Sequence, residues 1–489
     1  MAAKTDDKPP TPPGVEGTHN RLEPPAAGAQ IGKRWRELQG ANDWKGLLNP
    51  LDEDLRAEII RYGEFAEVTY DAFDFDKHSQ YCGSCKYSKK NLFKEVELHN
   101  TGYTVTRYIY ATANVEVPYI LRKSEREDAW SSKSNWMGYV AVSTDPEEIK
   151  RLGRRDIMVV WRGTQTGLEW AANFADKLIP AVLMPHAAKP AHVPLTKVKV
   201  EAGFFSLYTS ANPDSKFNQI SAQDQLQMEM RGLVDKYKNE PEELSITICG
   251  HSLGSALATL SAYDFAESGF NKLSVGDKNL AVPITVFSFA GPRVGNSAFK
   301  KRIEEIGVKV LRMVNVNDKV PRVPGVLVNE NVPSLENLLD NLPWTYSHVG
   351  VKLELNDKHS KHLNQEKSAS WTTHNLEVYL HLVDGYGRYD KLPIRDLVLV
   401  NKRCGFLKDD KFVPEEWWQL KNKGLQYFPD QRRWYQPPRA LEDVPVPPKQ
   451  ETIDKVNFLK SNGQMNVLTA GHEADDKTAP ITDLPKVAA

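Results

Sequence analysis

Ile246-Thr247-Ile248-Cys249-Gly250-His251-Ser252-Leu253-Gly254-Ser255-Ala256-Leu257-Ala258-Thr259-Leu260 reads as strand, sharp turn and helix. Leu244, Ile246 and Ile248 alternate with Ser245 and Thr247, and β-branched residues dominate the run. From Leu253 the apolar residues recur at helical spacing, through Ala256, Leu257 and Leu260. Between the two lies G-x-S-x-G, the pattern of a nucleophile elbow. At such a turn the residues two before and two after the serine crowd each other, so neither has room for a side chain. Gly250 and Gly254 meet that demand. The start of the helix aims free N–H groups and the positive end of its dipole at Ser252. The competing reading is a glycine-rich turn whose serine only caps the helix.

Outward from this stretch the chain alternates strands and helices. Asp52 to Ala66 has Leu55, Ile59, Tyr62 and Ala66 on one helical face. Thr104 to Thr112 and Met137 to Ser143 read as strands, and so does Ile157 to Trp161, which is apolar throughout. That last pattern fits a strand buried on both faces of a parallel sheet. Gln223 to Tyr237 reads as a helix. Ile284 to Ala290, Val308 to Val316 and Val349 to Leu355 read as strands, and His374 to Val383 as a short helix. The alternation predicts an α/β fold with a largely parallel central sheet flanked by helices.

The 489 residues carry a net charge of −1, so nothing electrostatic points to nucleic acid as a partner. The 4 cysteines fit a reducing compartment, and Cys82-Gly83-Ser84-Cys85 lacks a second pair to complete a metal site. No His/Asp cluster has metal-ligand spacing, so neither metal nor cofactor is expected. No run of about 18 apolar residues appears, so no transmembrane segment is expected. The N-terminus lacks an apolar signal core and carries Asp6, Asp7 and Glu16, which speaks against a secretory or plastid leader and for a cytoplasmic protein. Residues 1–32 are expected to be disordered and Pro-rich, 33–436 to form the folded domain, and 437–489 to be a Pro-rich, polar and mobile tail.

A serine hydroxyl needs a histidine to take its proton and a carboxylate to hold that histidine. In elbow-bearing folds the chain order is serine, acid, histidine. Val308 to Val316 runs into Asn317-Asp318-Lys319-Val320-Pro321, which makes Asp318 the candidate acid, against the plainer reading of an Asx-turn residue. Asp340 and Asp384 follow no strand. Among later histidines, His359 and His362 lie in a lysine-rich loop and His381 lies on an apolar helix. His348 and His374 remain equal candidates from pattern alone.

Gly250-His251-Ser252-Leu253-Gly254, Phe289-Ala290-Gly291-Pro292-Arg293-Val294-Gly295-Asn296 and Asn317-Asp318-x-Val320-Pro321 resemble the class-3 lipase family. His374-Asn375-Leu376-Glu377-Val378-Tyr379-Leu380-His381 resembles the triad-histidine segment of its plant phospholipase A1 branch. Trp35 to Gly40, Trp44 to Asp52 and Cys404-Gly405-Phe406-Leu407-Lys408-Asp409 resemble that branch as well. The resemblance spans roughly residues 33–435. It implies an α/β-hydrolase-type fold and His374, not His348, as the base. With no plastid leader expected, it implies the class II members. Two departures stand out: Ser255, where relatives often carry Gly or Ala, and an insertion from Gly325 to Asn341.

Oxyanion donors are then expected from the backbone N–H of Leu253 and from the turn Val160-Trp161-Arg162-Gly163-Thr164, where the resemblance implies a role for Thr164. Leu168 to Phe174 and the apolar, proline-broken Leu178 to Pro185 are expected to form a lid, about 165–190, that opens against lipid. The plainer alternative is a loop packed on the core. The expected function is hydrolysis of the sn-1 acyl ester of glycerophospholipids at a membrane surface. The alternatives are a galactolipid or triacylglycerol lipase and a non-catalytic lipase-like interaction protein.

Overall fold

The computed structural model describes residues 31–462, apart from 115–120, 165–176, 184–193, 276–277, 326–344, 365–372, 389–394, 404, 408–412 and 419–425. Its scaffold is a seven-stranded sheet. The strands are β1 (Tyr103–Ala111), β2 (Asn135–Ser143), β3 (Arg155–Trp161), β4 (Leu244–His251), β5 (Ile284–Phe289), β6 (Lys309–Asn315) and β7 (Val351–Leu355). They lie across the sheet in chain order. β1 with β2 and β2 with β3 pair antiparallel. From β3 to β7 every pairing is parallel, as the alternation of elements predicts.

Both faces of the sheet are covered. Ile157, Val159 and Trp161 enter one core, while Met158 and Val160 enter the other, which is why β3 shows no polar alternation. On one face pack α1 (Glu53–Asp71) and α4 (Leu376–Asp384); on the other pack α2 (Ala222–Tyr237) and α3 (Leu253–Ser268). α1 starts where Asp52 accepts the N–H groups of Asp54 and Leu55. It runs a turn further than its apolar stripe suggests, and Glu58, Glu64, Glu67 and Asp71 are buried along with that stripe. α2 starts with a capping box between Ser221 and Asp224.

Register sets the position of the site. Trp161 stands opposite Gly250, His251 opposite Phe289, and Phe289 opposite Met313. The segments just past these strands, 162–164, 252–253, 290–293 and 316–318, therefore share one edge of the sheet. Ligand sites of open α/β sheets form at that carboxyl edge.

Two expectations need correction. His374 does not open the last helix: Asn375 is the cap, accepting the N–H of Glu377, and His374 stands before it in a loop. The stretch from Pro437 is not a mobile tail in its described part. Arg439 is buried and bonds Asp74 at 2.8 Å, and a helix, α5 (Gln450–Ser461), sets Ile453, Val456 and Leu459 against Ile220. A Pro-rich composition signalled a linker, but the buried ion pair and the apolar stripe of α5 hold this segment on the domain. The expected lid helix, the insertion from residue 326 and the 1–30 segment lie outside the described residues. Of the apolar run near residue 180, Leu178–Pro180 forms a short strand paired with Lys199–Glu201, and Val182 is exposed. Among the described residues no helix is long and apolar enough to cross a membrane.

Candidate active site

Ser252 has φ 59° and ψ −126°, a conformation in which a side chain is strained. Such strain costs about 1–3 kcal/mol and persists only where the surroundings impose it. Here the backbone imposes it. A Cβ on Gly250 would stand 2.4 Å from the carbonyl of Gly254, and one on Gly254 would stand 2.3 Å from the Trp161 oxygen. The Ser252 N–H donates to the Phe289 carbonyl at 2.9 Å, fixing the turn to β5. The Ser252 side chain does not cap α3. That disposes of the capping reading: the hydroxyl is turned toward His374 instead.

His374 Nε2 lies 2.8 Å from Ser252 Oγ, and His374 Nδ1 lies 2.7 Å from Asp318 Oδ2. Asp318 stands three residues past the end of β6 and is buried. Its Oδ1 accepts the Val320 N–H at 2.9 Å, and its Oδ2 also accepts the Tyr379 hydroxyl at 2.7 Å. The carboxylate thus holds the Nδ1–H of His374, leaving Nε2 as the acceptor facing the serine. The structure brings together Ser252, His374 and Asp318, the three residues singled out in the sequence. His348 takes no part in this row. Burial and the nearby Arg312 and Arg293 push it down to about 2, so it stays neutral. His381 is a buried helix residue bonded to Ser360 Oγ at 2.7 Å.

Two backbones meet where the oxyanion donors are expected. Leu253 is the first residue of α3, so its N–H has no partner within the helix. The turn after β3 abuts the elbow: a Cβ on Gly163 would lie 3.3 Å from Ser252 Cβ and 2.1 Å from the Tyr70 hydroxyl. Only glycine fits there. Thr164 follows it and is buried. Arg162 anchors the turn from beneath, donating to Trp136 O at 3.0 Å and Gly163 O at 2.8 Å over the ring of Phe73. Burial lowers its guanidinium to about 9, so it remains a cation at neutral pH.

Tyr379 and Tyr70 carry no role in the sequence reading. Tyr379 had a signal, since a tyrosine within an apolar buried helix must send its hydroxyl to a partner. Tyr70 had none, because its partners come from distant strands. Cys82, Cys85 and Cys249 are buried free thiols. Among the described residues no group of three or more His, Cys, Asp or Glu side chains is placed to hold a metal ion.

A family model described as "Lipase (class 3)" matches residues 158–328. "Phospholipase A1-Igamma3, chloroplastic" of Arabidopsis thaliana is 46% identical over 441 residues, covering 86% of this chain and 81% of that protein. "Galactolipase DONGLE, chloroplastic" of the same plant is 47% identical over 376 residues, 76% of this chain and 74% of that protein. "Phospholipase A1-IIalpha", also from Arabidopsis thaliana, is 41% identical over 409 residues, 82% of this chain and 90% of that protein. Identity at this level over most of both chains, joined to a family match that spans the elbow and the acid, makes this chain a member of the class 3 lipase family.

Proposed function

We propose that the chain is a lipid acyl hydrolase of the phospholipase A1 type, cleaving the sn-1 ester of glycerophospholipids at a membrane surface. The observation that carries this reading is the hydrogen-bonded row from Ser252 through His374 to Asp318. Ser252 Oγ attacks the ester carbonyl carbon while His374 Nε2 takes its proton. The carbonyl oxygen becomes an anion facing Leu253 N–H and Thr164. Donors fixed in advance at such a position typically contribute about 10²–10³ in rate each. The intermediate collapses, the C–O bond to glycerol breaks, and His374 returns the proton to the departing alcohol of the lysophospholipid. Water, losing its proton to His374, then attacks the acyl-serine; the bond to Ser252 Oγ breaks, His374 returns that proton to Oγ, and the fatty acid is released. Asp318 stays an anion throughout and holds the imidazole in the tautomer that each step needs.

Relatives named phospholipase A1 support the substrate class, and the galactolipase relative supports galactolipid as the second substrate to test. The class II placement has less behind it than a placement beside the Igamma relative, to which identity is higher. A cytoplasmic location stays our proposal, set against relatives named chloroplastic; cell fractionation decides it. The substrate test is mass spectrometry of products from a phospholipid with different sn-1 and sn-2 chains, run beside galactolipid and triacylglycerol. Release of the sn-1 acid in preference to the others supports the proposal. Dominant sn-2 release, or activity confined to galactolipid, replaces it.

A further inference from the structure

His251 stands next to the nucleophile, yet its ring takes no part in the proton path. It is buried, and both of its nitrogens are engaged. Nε2 lies 2.7 Å from the backbone carbonyl of His374. Nδ1 lies 2.5 Å from the Tyr70 hydroxyl. A carbonyl oxygen only accepts, so Nε2 carries the proton and Nδ1 accepts the Tyr70 O–H. Burial, and then the neighbouring His374, hold His251 well below its usual value, which agrees with a neutral ring having one donor and one acceptor. The Tyr70 oxygen in turn lies against the Gly163 backbone. The same oxygen occupies the space a side chain at 163 would need. The His251 and His374 rings lie with centroids 4.7 Å apart.

These contacts form one continuous path, from the oxyanion turn through Gly163, Tyr70 and His251 to the loop that carries His374. We infer that His251, held in one tautomer by Tyr70, is a positioning residue that fixes the His374 loop relative to the oxyanion turn. The need for such a brace is visible in the fold. His374 precedes the Asn375 cap, so its backbone is outside the helical hydrogen-bond ladder. Its ring must nevertheless meet Ser252 and Asp318 at once. Asn315 bonds the neighbouring Thr373 carbonyl at 3.1 Å, and His251 bonds that of His374 itself. A misplacement of about 1 Å at a catalytic group can cost about 10²-fold in rate.

This inference rests on the proposed function, and its test separates the two. Turnover of a p-nitrophenyl ester is measured for full-length His251→Phe, His251→Gln and Tyr70→Phe, each in the wild-type and His374→Ala backgrounds. Rates are normalised to folded protein by near-ultraviolet circular dichroism. His251→Phe is expected to lower kcat about 10²-fold with KM changed by less than about twofold. His251→Gln keeps an N–H near the Nε2 position and should restore most of that loss. Tyr70→Phe, which leaves the ring without its second partner, should fall between them, and it carries the test if His251→Phe does not fold. In the His374→Ala background none of the three should cost anything further, because no base remains to be placed. Full turnover per folded molecule in Tyr70→Phe and His251→Phe overturns the inference alone. So does a loss that persists undiminished in the His374→Ala background. Full activity of His374→Ala itself removes the proposed base, and this inference with it.

Discussion

Two buried polar networks meet on α4 and are built on opposite plans. Toward the sheet edge, Tyr379 joins His374 and Val320 around Asp318, and each oxygen of that carboxylate has a donor. Toward α1, Glu377 joins Glu64, Glu67 and Asp71, with Arg395 and Lys402 among them. Arg395 pairs with Glu64, Lys402 bonds Asp71 at 2.6 Å, and Asn401 N–H donates to Glu377 Oε2 at 3.0 Å. Even so, Glu67 and Glu377 each leave one buried carboxyl oxygen without a bond. Burial, helped by neighbouring carboxylates, pushes Glu67 well up and Glu377 up to about 8. The first network sets a single charge among donors and points it at the serine. The second crowds acids together so that some hold their protons, and it joins α1, α4 and the segment around residue 400. The contrast separates a network for chemistry from one for cohesion, although one helix serves both.

The sharpest way to break this contrast is at the serine. Ser252→Ala should lower kcat by on the order of 10⁴-fold or more. Its melting temperature should not fall, because the hydroxyl caps nothing. His374→Ala should be as damaging, and the double variant should add little, since the row acts as a unit. Steady-state turnover beside thermal melts checks both; a strongly additive double variant would deny that the row is a unit. In the second network the effects should be reversed. Lys402→Met leaves Asp71 buried without its cation and should destabilise the fold by about 3–5 kcal/mol, read by denaturant titration. Turnover per folded molecule should survive it.

His348→Ala comes next, at about 1–3 kcal/mol of stability for a partly buried, hydrogen-bonded ring, with turnover retained. A dead but folded His348→Ala would require the base to be reassigned. The last prediction is a pH dependence. Glu377 is raised in the folded state from its ordinary 4.5 to about 8. Its contribution is therefore present below about pH 4.5 and lost as pH rises through about 8. Glu377→Gln removes that loss, so its melting temperature relative to wild type should climb between about pH 5 and pH 9. A constant difference would mean that Glu377 does not hold its proton in the fold.

The elbow was legible because its geometry is local. The Gly250 and Gly254 backbones touch, so their spacing in sequence is the constraint itself. Asp318 was legible because it follows a strand by a few residues. The base was not, because His374 arrives from a loop and nothing near it in sequence distinguishes it from His348; the family resemblance supplied the choice. The acid cluster was invisible for the same reason in stronger form. Lys402 and Asp71 are 331 residues apart, and the sequence offers no reason to give Glu64, Glu67 or Asp71 a role. In the fold they are buried beside α4 and the segment around residue 400. Pro437 onward misled by composition, since proline content says nothing about a single arginine that finds a carboxylate inside.

That arginine sets an order of events during synthesis. Asp74 and Arg439 are 365 residues apart. At about 5–20 residues added per second, the Asp74 carboxylate waits roughly 20–70 s for its partner to be made. During that interval the Cys82–Cys85 turn, which Arg439 also holds through Ser84 and Cys85 at 3.1 and 2.8 Å, lacks its clasp. The Phe73 ring beneath Arg162 belongs to the same segment. The turn after β3 is therefore seated on a floor that is complete only once Arg439 has been made.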